Sequence, residues 1–331
     1  MKRLDEYWYR RNPLSLVLLP VSWLFCMLVY IRKHLYQKGM LKTVRMPVPV
    51  IIVGNISVGG SGKTPLVVAI FSLLKNAGYK PGIISRGYGG LAKTWPQQVR
   101  EDSDPRMVGD EPVLMARYCG TAMAVGPDRV SAAQQLLKYH DCDVIISDDG
   151  LQHYVLERDI EIAVVDGVRR FGNGHCLPAG PLRERKSRLE EVDFIVTNGI
   201  AMRMEYPMEL ESNEAVNLMT GERRNMGVFS GSVVHAIAGI GNPDRFFSDL
   251  EKYGLVFTRH PFPDHYDYKA DDLLFDDDSL IFMTEKDAVK CKKYARDDIW
   301  YVPVKANLDK RLVTRLLYML KKQYDESYSI N

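Results

Sequence analysis

The 331-residue chain has no Cys-x-x-Cys pair, no internal repeat, no low-complexity segment and no excess of charge of either sign. Its five cysteines (Cys26, Cys119, Cys142, Cys176, Cys291) are scattered, which rules out the usual zinc spacings and favours a reducing compartment. A net charge of +2 gives no case for nucleic acid as a partner. Hydrophobic content of 46% and charged content of 26% leave no room for a disordered tail of any size. The length exceeds one typical core, so two domains are expected.

What is present centres on one stretch. Val50-Ile51-Ile52-Val53 is an unbroken β-branched run, the mark of a strand buried on both faces of a parallel sheet. The loop Gly54-Asn55-Ile56-Ser57-Val58-Gly59-Gly60-Ser61-Gly62-Lys63-Thr64 follows, and then helical spacing from Pro65 to Lys75. Strand, glycine-rich loop and helix in that order make a phosphate cradle. Backbone N–H groups of Ser57 through Thr64 turn inward, the helix start adds its positive end, and Lys63 reaches terminal phosphates. Thr64 supplies a hydroxyl for Mg²⁺. The usual loop has glycine six residues before its lysine; here that residue is Ser57, so the loop is a variant. The site it predicts binds a nucleotide with Mg²⁺.

An uncharged run of 18 residues, Leu14 to Ile31, stands between Lys2, Arg3, Arg10, Arg11 on one side and Arg32-Lys33-His34 on the other. That is about the minimum for a spanning helix, and no small-residue cleavage site follows as a signal peptide would require. Pro20 should kink the helix, and Tyr7, Trp8, Tyr9, Trp23, Tyr30 and Tyr36 suit an interfacial seat. The expectation is membrane attachment from the cytoplasmic side; spanning and lying in one leaflet both stay open.

Downstream the rhythm is α/β. Pro81–Ser85 reads as a strand leading into Arg86-Gly87-Tyr88-Gly89-Gly90, at the same sheet edge as the phosphate loop. Arg86 could face phosphates there. Asp110-Glu111-Pro112 opens a helix, where acids either answer the macrodipole or serve catalysis, two roles this spacing does not separate. Ala122–Val125 is a strand ending at Gly126-Pro127-Asp128-Arg129, with a helix near 130–138. The strand 143–147 ends in Asp148-Asp149, paired carboxylates placed as Mg²⁺ ligands beside a phosphate loop. Which of the two meets the ion is left open. Strands at 160–166 and 193–198 complete a parallel sheet wrapped by helices. The stretch 201–231 breaks the rhythm and reads as a linker; 232–331 reads as a second, smaller α/β lobe that includes a helix from 308 to 322. The division expected is thus a membrane-associating segment 1–40, a nucleotide-binding core 41–200, the linker 201–231 and the second lobe 232–331.

The set GNISVGGSGKTP, SRGYGG, VGDEP, VGPDR, SDDGLQH, PAGPLRE, AIAGIGNPDRF, FPDHYDY and TEKDAVK resembles the tetraacyldisaccharide 4′-kinase family, from the apolar N-terminus to about Cys291. The resemblance implies a phosphate-loop kinase at the cytoplasmic face of the bacterial inner membrane. It implies transfer of the γ-phosphate of ATP to the 4′-hydroxyl of a tetraacylated, 1-phosphorylated glucosamine disaccharide, giving the lipid A precursor. Family members share the glycine-poor loop start. Asp110 then looks like the base and His265 its partner; Ser61, Lys63 and Thr64 match phosphate and metal contacts. Asp148, Asp149 and Glu184 match the acidic Mg²⁺ surroundings, and Arg129, Arg183 and His153 match positions around phosphates or substrate. Asp110 and His265 lie far apart in sequence, so the reading needs the two lobes to close on one another. Lipid is the implied partner, with no obligate protein partner evident. A membrane-bound nucleotide switch of the cell-division type is the rival reading. It usually has lysine where Val58 stands, and carries its amphipathic helix at the C-terminus. A kinase of soluble metabolites gives no reason for the apolar N-terminus.

Overall fold

The computed structural model describes residues 7–9, 13–120 and 122–328; Lys2, Arg3, Arg10 and Arg11 lie outside them. Two sheets organise the chain. The first has nine strands and is built around β1 (Val50–Gly54). β1 pairs in parallel with β5 (Val144–Asp148) on one side and β6 (Ile160–Asp166) on the other. Beyond β5 come β2 (Pro81–Ser85), β4 (Met123–Val125) and the short antiparallel β3 (Gln97–Gln98). Beyond β6 come β7 (Phe194–Asn198) and β8 (Tyr206–Glu211), both in parallel register.

The β-branched run explains the placement of β1. Ile51 and Val53 point into one apolar core and Val50 and Ile52 into another, all with exposure of 1% or less. A strand buried on both faces needs no polar alternation. One face is covered by α3 (Lys63–Asn76) and α5 (Asp110–Cys119), which follows a single turn, α4 (Pro105–Val108); the other face is covered by α6 (Arg129–Tyr139).

The second sheet has six strands: β10 (Arg223–Asn225), β9 (Glu214–Asn217), β14 (Ile299–Val302), β13 (Leu280–Thr284), β11 (Val233–Ala238) and β12 (Val256–Pro261), in that spatial order. α7 (Pro243–Lys252) and α8 (Glu285–Cys291) accompany it. Two sequence expectations change here. The stretch 201–231 contains three strands, two of them in the second sheet and one in the first. The C-terminal segment does not close the second lobe: β15 (Lys305–Leu308) pairs antiparallel with β8, and α9 (Lys310–Tyr328) packs on the first sheet. The reason is the apolar stripe Leu312, Leu316, Leu320, spaced by four and completely buried in the core of β1 and α3. Leu316→Ala should therefore cost about 2–5 kcal/mol of stability by urea denaturation; a loss below ~0.5 kcal/mol would mean that α9 is not part of that core.

The N-terminal apolar run is broken at Leu18 into α1 (Pro13–Val17) and α2 (Leu19–Gln37). Among the described residues no helix is long and apolar enough to cross a membrane. α2 is inverted relative to a helix of a soluble core. Its small residues Ser22 and Cys26 face the protein, while Val21, Trp23 (65% exposed), Leu24, Met27, Leu28 (56%), Tyr30 and Ile31 face outward. Ser22 Oγ donates to the Cys176 carbonyl at 2.7 Å, Trp8 Nε1 donates to the Pro178 carbonyl at 3.1 Å, and Lys33 pairs with Glu191. Cys26 is joined to Cys176 in a disulfide, against the expectation of a reducing compartment drawn from the scattered cysteines; the two stand 150 residues apart, a pairing invisible to spacing rules. Cys119, Cys142 and Cys291 are buried thiols.

Candidate active site

The loop 55–62 leaves the carboxyl end of β1 and enters α3, whose first residue is Lys63. Gly62 caps that helix at φ +94°, in the left-handed region, and a Cβ there would meet Asn198 Nδ2 at 2.8 Å. The amide of Asn55, at the strand end, donates to Ser61 Oγ at 3.2 Å and to the Gly59 carbonyl at 3.4 Å. Asn198, at the end of β7, donates to the Ser61 carbonyl at 3.3 Å and accepts from Arg245 of α7 at 3.0 Å. Val58 N donates to the Pro181 carbonyl at 2.8 Å, and Arg183 N to the Ile56 carbonyl at 2.7 Å. The cradle is thus fixed from three sides.

It opens on a cleft of about 610 Å³ between the two sheets, lined among others by Ser61–Thr64, Arg86, Asp148, Asp149, Arg183 and His265. Asp149, at φ +49°, accepts from Arg183 Nη1 at 2.9 Å and lies 3.5 Å from Lys63 Nζ. Burial alone would raise its pKa, but Lys63 and Arg183 hold it well below the carboxylate range. Asp148 goes the other way. Burial, followed by the charges of Glu111 and Asp149, pushes it up to about 6. One of its oxygens accepts from Ser85 Oγ at 2.9 Å; the other, Oδ1, is buried without a hydrogen-bond partner.

An unpartnered carboxylate oxygen, sharing a cleft with the Thr64 hydroxyl, fits a divalent cation. Among the described residues no group of three or more His, Cys, Asp or Glu could hold a metal. Mg²⁺ at a triphosphate needs fewer, because one or two carboxylates suffice beside phosphate oxygens and water.

Other sequence candidates sit further out. Glu184 is buried and engaged by Gln152 Nε2 at 2.7 Å and Tyr154 OH at 2.5 Å. Arg129 is 2% exposed and donates to the Gly126 carbonyl at 2.9 Å and the Asp148 carbonyl at 3.2 Å, so it braces the floor from behind. His153 is half-buried; burial first, then Arg129 and Arg86, lower its pKa to about 4. None of these three is among the residues lining the cleft.

Asp110 opens α5 after Gly109, and His265, at φ +59°, comes from the loop following β12. Their side chains meet, His265 Nδ1 standing 3.0 Å from both Asp110 oxygens. The two lobes already pack as the pair requires, so no further closure is needed to form it. Burial would raise Asp110, but the His265 hydrogen bond and the Lys286 charge lower it to about 2. The same hydrogen bond raises His265, against burial and Lys286. α5 is the seam between lobes: Tyr118 OH donates to Glu285 at 2.7 Å, and Glu111 accepts from Lys286 at 2.9 Å. Sequence reasoning passed over Asn55, Asn198 and Lys286; only the TEKDAVK segment hinted at the last.

A phosphate cradle, a cation-ready carboxylate and a histidine backed by a buried aspartate, with the histidine lining the same cleft, define a P-loop phosphotransferase. A family model described as tetraacyldisaccharide-1-P 4′-kinase matches residues 14–321. A tetraacyldisaccharide 4′-kinase of Nitrosococcus oceani is 50% identical over 98% of this chain and 96% of its own length. That of Methylobacillus flagellatus is 49% identical over 96% of each. A crystal structure of LpxK from Aquifex aeolicus in complex with ATP superposes with a TM-score of 0.79 at 30% identity, over 93% of this chain and 99% of that one. The chain belongs to the tetraacyldisaccharide 4′-kinase family.

Proposed function

We propose that the protein moves the γ-phosphoryl group of ATP onto the 4′-hydroxyl of tetraacyldisaccharide 1-phosphate, working at the cytoplasmic face of a bacterial inner membrane. The observation that carries this reading is the Asp110–His265 pair, whose histidine lines the cleft that holds Ser61–Thr64.

In this reading, the N–H groups from Gly59 to Thr64 and the Lys63 ammonium grip the β- and γ-phosphates, the Val58 N–H being taken by the Pro181 carbonyl. Thr64 and Asp148 would hold Mg²⁺, with Asp149 beside them, and the bound ion offsets the phosphate charge. Asp110 accepts the hydroxyl proton as the new O–P bond forms and ADP leaves. A depressed carboxylate suffices for this, because the hydroxyl becomes acidic late in a loose transition state. Arg86 and Arg183 face the phosphates; Arg129, Glu184 and His153 support from behind. Incubating the purified protein with ATP, Mg²⁺ and tetraacyldisaccharide 1-phosphate should give a bis-phosphorylated lipid, read by mass spectrometry. ATP consumption without that product would refute the reading.

A substrate with four acyl chains stays in the bilayer, so the site must come to it. The outward apolar face of α1 and α2 suits a seat in the headgroup region, flanked by cations. Each leucine buried in lipid contributes about 1.5–3 kcal/mol. Leu24→Glu with Leu28→Glu should therefore lower co-sedimentation with anionic vesicles by roughly a hundredfold, at about tenfold per residue. Unchanged partitioning would remove the helix from the membrane account.

A further inference from the structure

Among the described residues, the three most exposed large apolar side chains are Val168 (92%), Ile200 (87%) and Met204 (83%). Val168 lies in the turn after β6; Ile200 and Met204, with the exposed Met202 between them, lie in the turn from β7 to β8. The two turns touch. Gly167 N donates to the Asn198 carbonyl at 2.9 Å, and a Cβ on Gly167 would meet the Ile200 nitrogen at 3.0 Å. β6 and β7 run parallel to β1, so the four side chains stand at the sheet edge from which the phosphate loop also leaves.

Loose turns often expose apolar residues, but these turns are held. The Asp166 carboxylate accepts from Val168 N at 2.9 Å and from Arg169 N at 2.8 Å. Glu205, its side chain nearly buried, accepts from Arg170 at 2.6 Å, from Thr197 Oγ1 at 2.6 Å and from Met202 N at 2.8 Å. Met204 is kept at φ +72°, which a residue other than glycine seldom adopts. A contiguous apolar patch presented on a fixed frame marks an interaction surface.

The patch adjoins the N-terminal segment proposed above to seat in lipid. The Arg169 guanidinium lies 5.6 Å over the Tyr9 ring, Asn173 N donates to the Trp8 carbonyl at 2.8 Å, and α1 exposes Leu14, Leu16 and Val17. The patch's carboxylates, Asp166 and Glu205, are turned onto the turns themselves, while Arg203 is exposed between Met202 and Met204. Apolar tips flanked by cations suit hydrocarbon beneath anionic headgroups. We propose that the turns 167–170 and 199–205 are a second point of insertion into the bilayer, beside α1 and α2. The inference rests on the reading of those helices as a membrane seat. A helix lying in the interface can roll about its own axis, and a second contact off that axis stops the roll. Arg169 also borders the cradle, its Nη1 3.8 Å from where a Gly59 Cβ would stand and 3.3 Å from the Gly241 carbonyl. Insertion of this turn thereby holds the phosphate loop close to the headgroup layer, where the acceptor's sugar lies.

Ile200→Cys in the full chain offers a probe, because Cys119, Cys142 and Cys291 are buried and Cys26 is tied to Cys176. Labelled there with an environment-sensitive fluorophore and mixed with phosphatidylethanolamine–phosphatidylglycerol vesicles, the protein should show a blue-shifted emission that brominated acyl chains quench. A label that stays in water on protein that co-sediments would overturn the proposal and leave the α2 seat standing. Wild-type protein that does not co-sediment at all would remove both. A blue shift that grows with protein concentration in the absence of vesicles would give the patch to a second copy of the chain, and overturn the proposal too. In Ile200→Ser with Met204→Ser, partition into the same vesicles should fall about tenfold, with melting temperature and KM for ATP unchanged. Partition equal to that of wild type would dismiss the second contact.

Discussion

Asp110→Asn is expected to lower kcat by about 10²–10⁴-fold while leaving KM for ATP nearly unchanged. The substitution is isosteric, keeps an oxygen to accept from His265 Nδ1, and removes only the negative charge and basicity. Asp110 is 5% exposed, sits at the first turn of α5, and is not among the residues that line the cleft with Gly59–Thr64. Nucleotide grip should therefore survive, because every group assigned to it stays in place. The split between kcat and KM tells a chemical defect from a folding defect, and a melting curve on the same protein controls for stability. Phosphorylation of the disaccharide within tenfold of wild type would dismiss Asp110 as the base.

Lys63→Met should be the second severe lesion, about 10²–10³-fold in kcat/KM. The methionine keeps the length of the stem and removes the one ammonium at the start of α3. Its neighbour Asp149 still has Arg183 at 2.9 Å, whereas Lys63 stands at 3.5 Å, so the carboxylate is not left unpaired. Folding at neutral pH should accordingly change little, since Asp149 keeps its closer partner Arg183 and a pair as long as 3.5 Å contributes on the order of 0–1 kcal/mol. The pH dependence has a definite sign. Asp149 has a depressed folded-state pKa, so its contribution is present above the unfolded carboxylate range and fades as pH falls. Without Lys63 that depression shrinks, and acid unfolding should begin at slightly higher pH. Retention of full kcat/KM would mean that the phosphates are neutralised elsewhere.

Much of this was readable from residues alone, where local chemistry and tertiary context agree. β1, the loop and α3 follow one another because an apolar run, glycines and helical spacing each demand the same element. β2 and β6 fall at the boundaries read from sequence. Asp110 and His265 were found through family resemblance; nothing in a single aspartate at a helix start separates catalysis from capping. β15 was missed, and α9 was read as a helix but assigned to the wrong lobe, for a topological reason. Their local pattern suits any α/β layer, and only the long-range pairing of β15 with β8 sends them back to the first sheet. Asn55 and Asn198 escaped because an amide at a strand end looks like a turn residue until its partner in the cradle is known. Lys286 escaped because one lysine between two acids reads as solvated surface.

The segment 171–185 is shared property. Through Val58, Ile56 and Arg183 it grips the cradle, while at Cys176 and Pro178 it is fastened to the N-terminal segment and α2. Whatever tilts or lifts α2 therefore pulls, through a few bonds, on the arginine that neutralises Asp149. If α1 and α2 seat in a bilayer as proposed, settling on lipid would trim the aim of the phosphate-handling groups, and floating free would leave them slack.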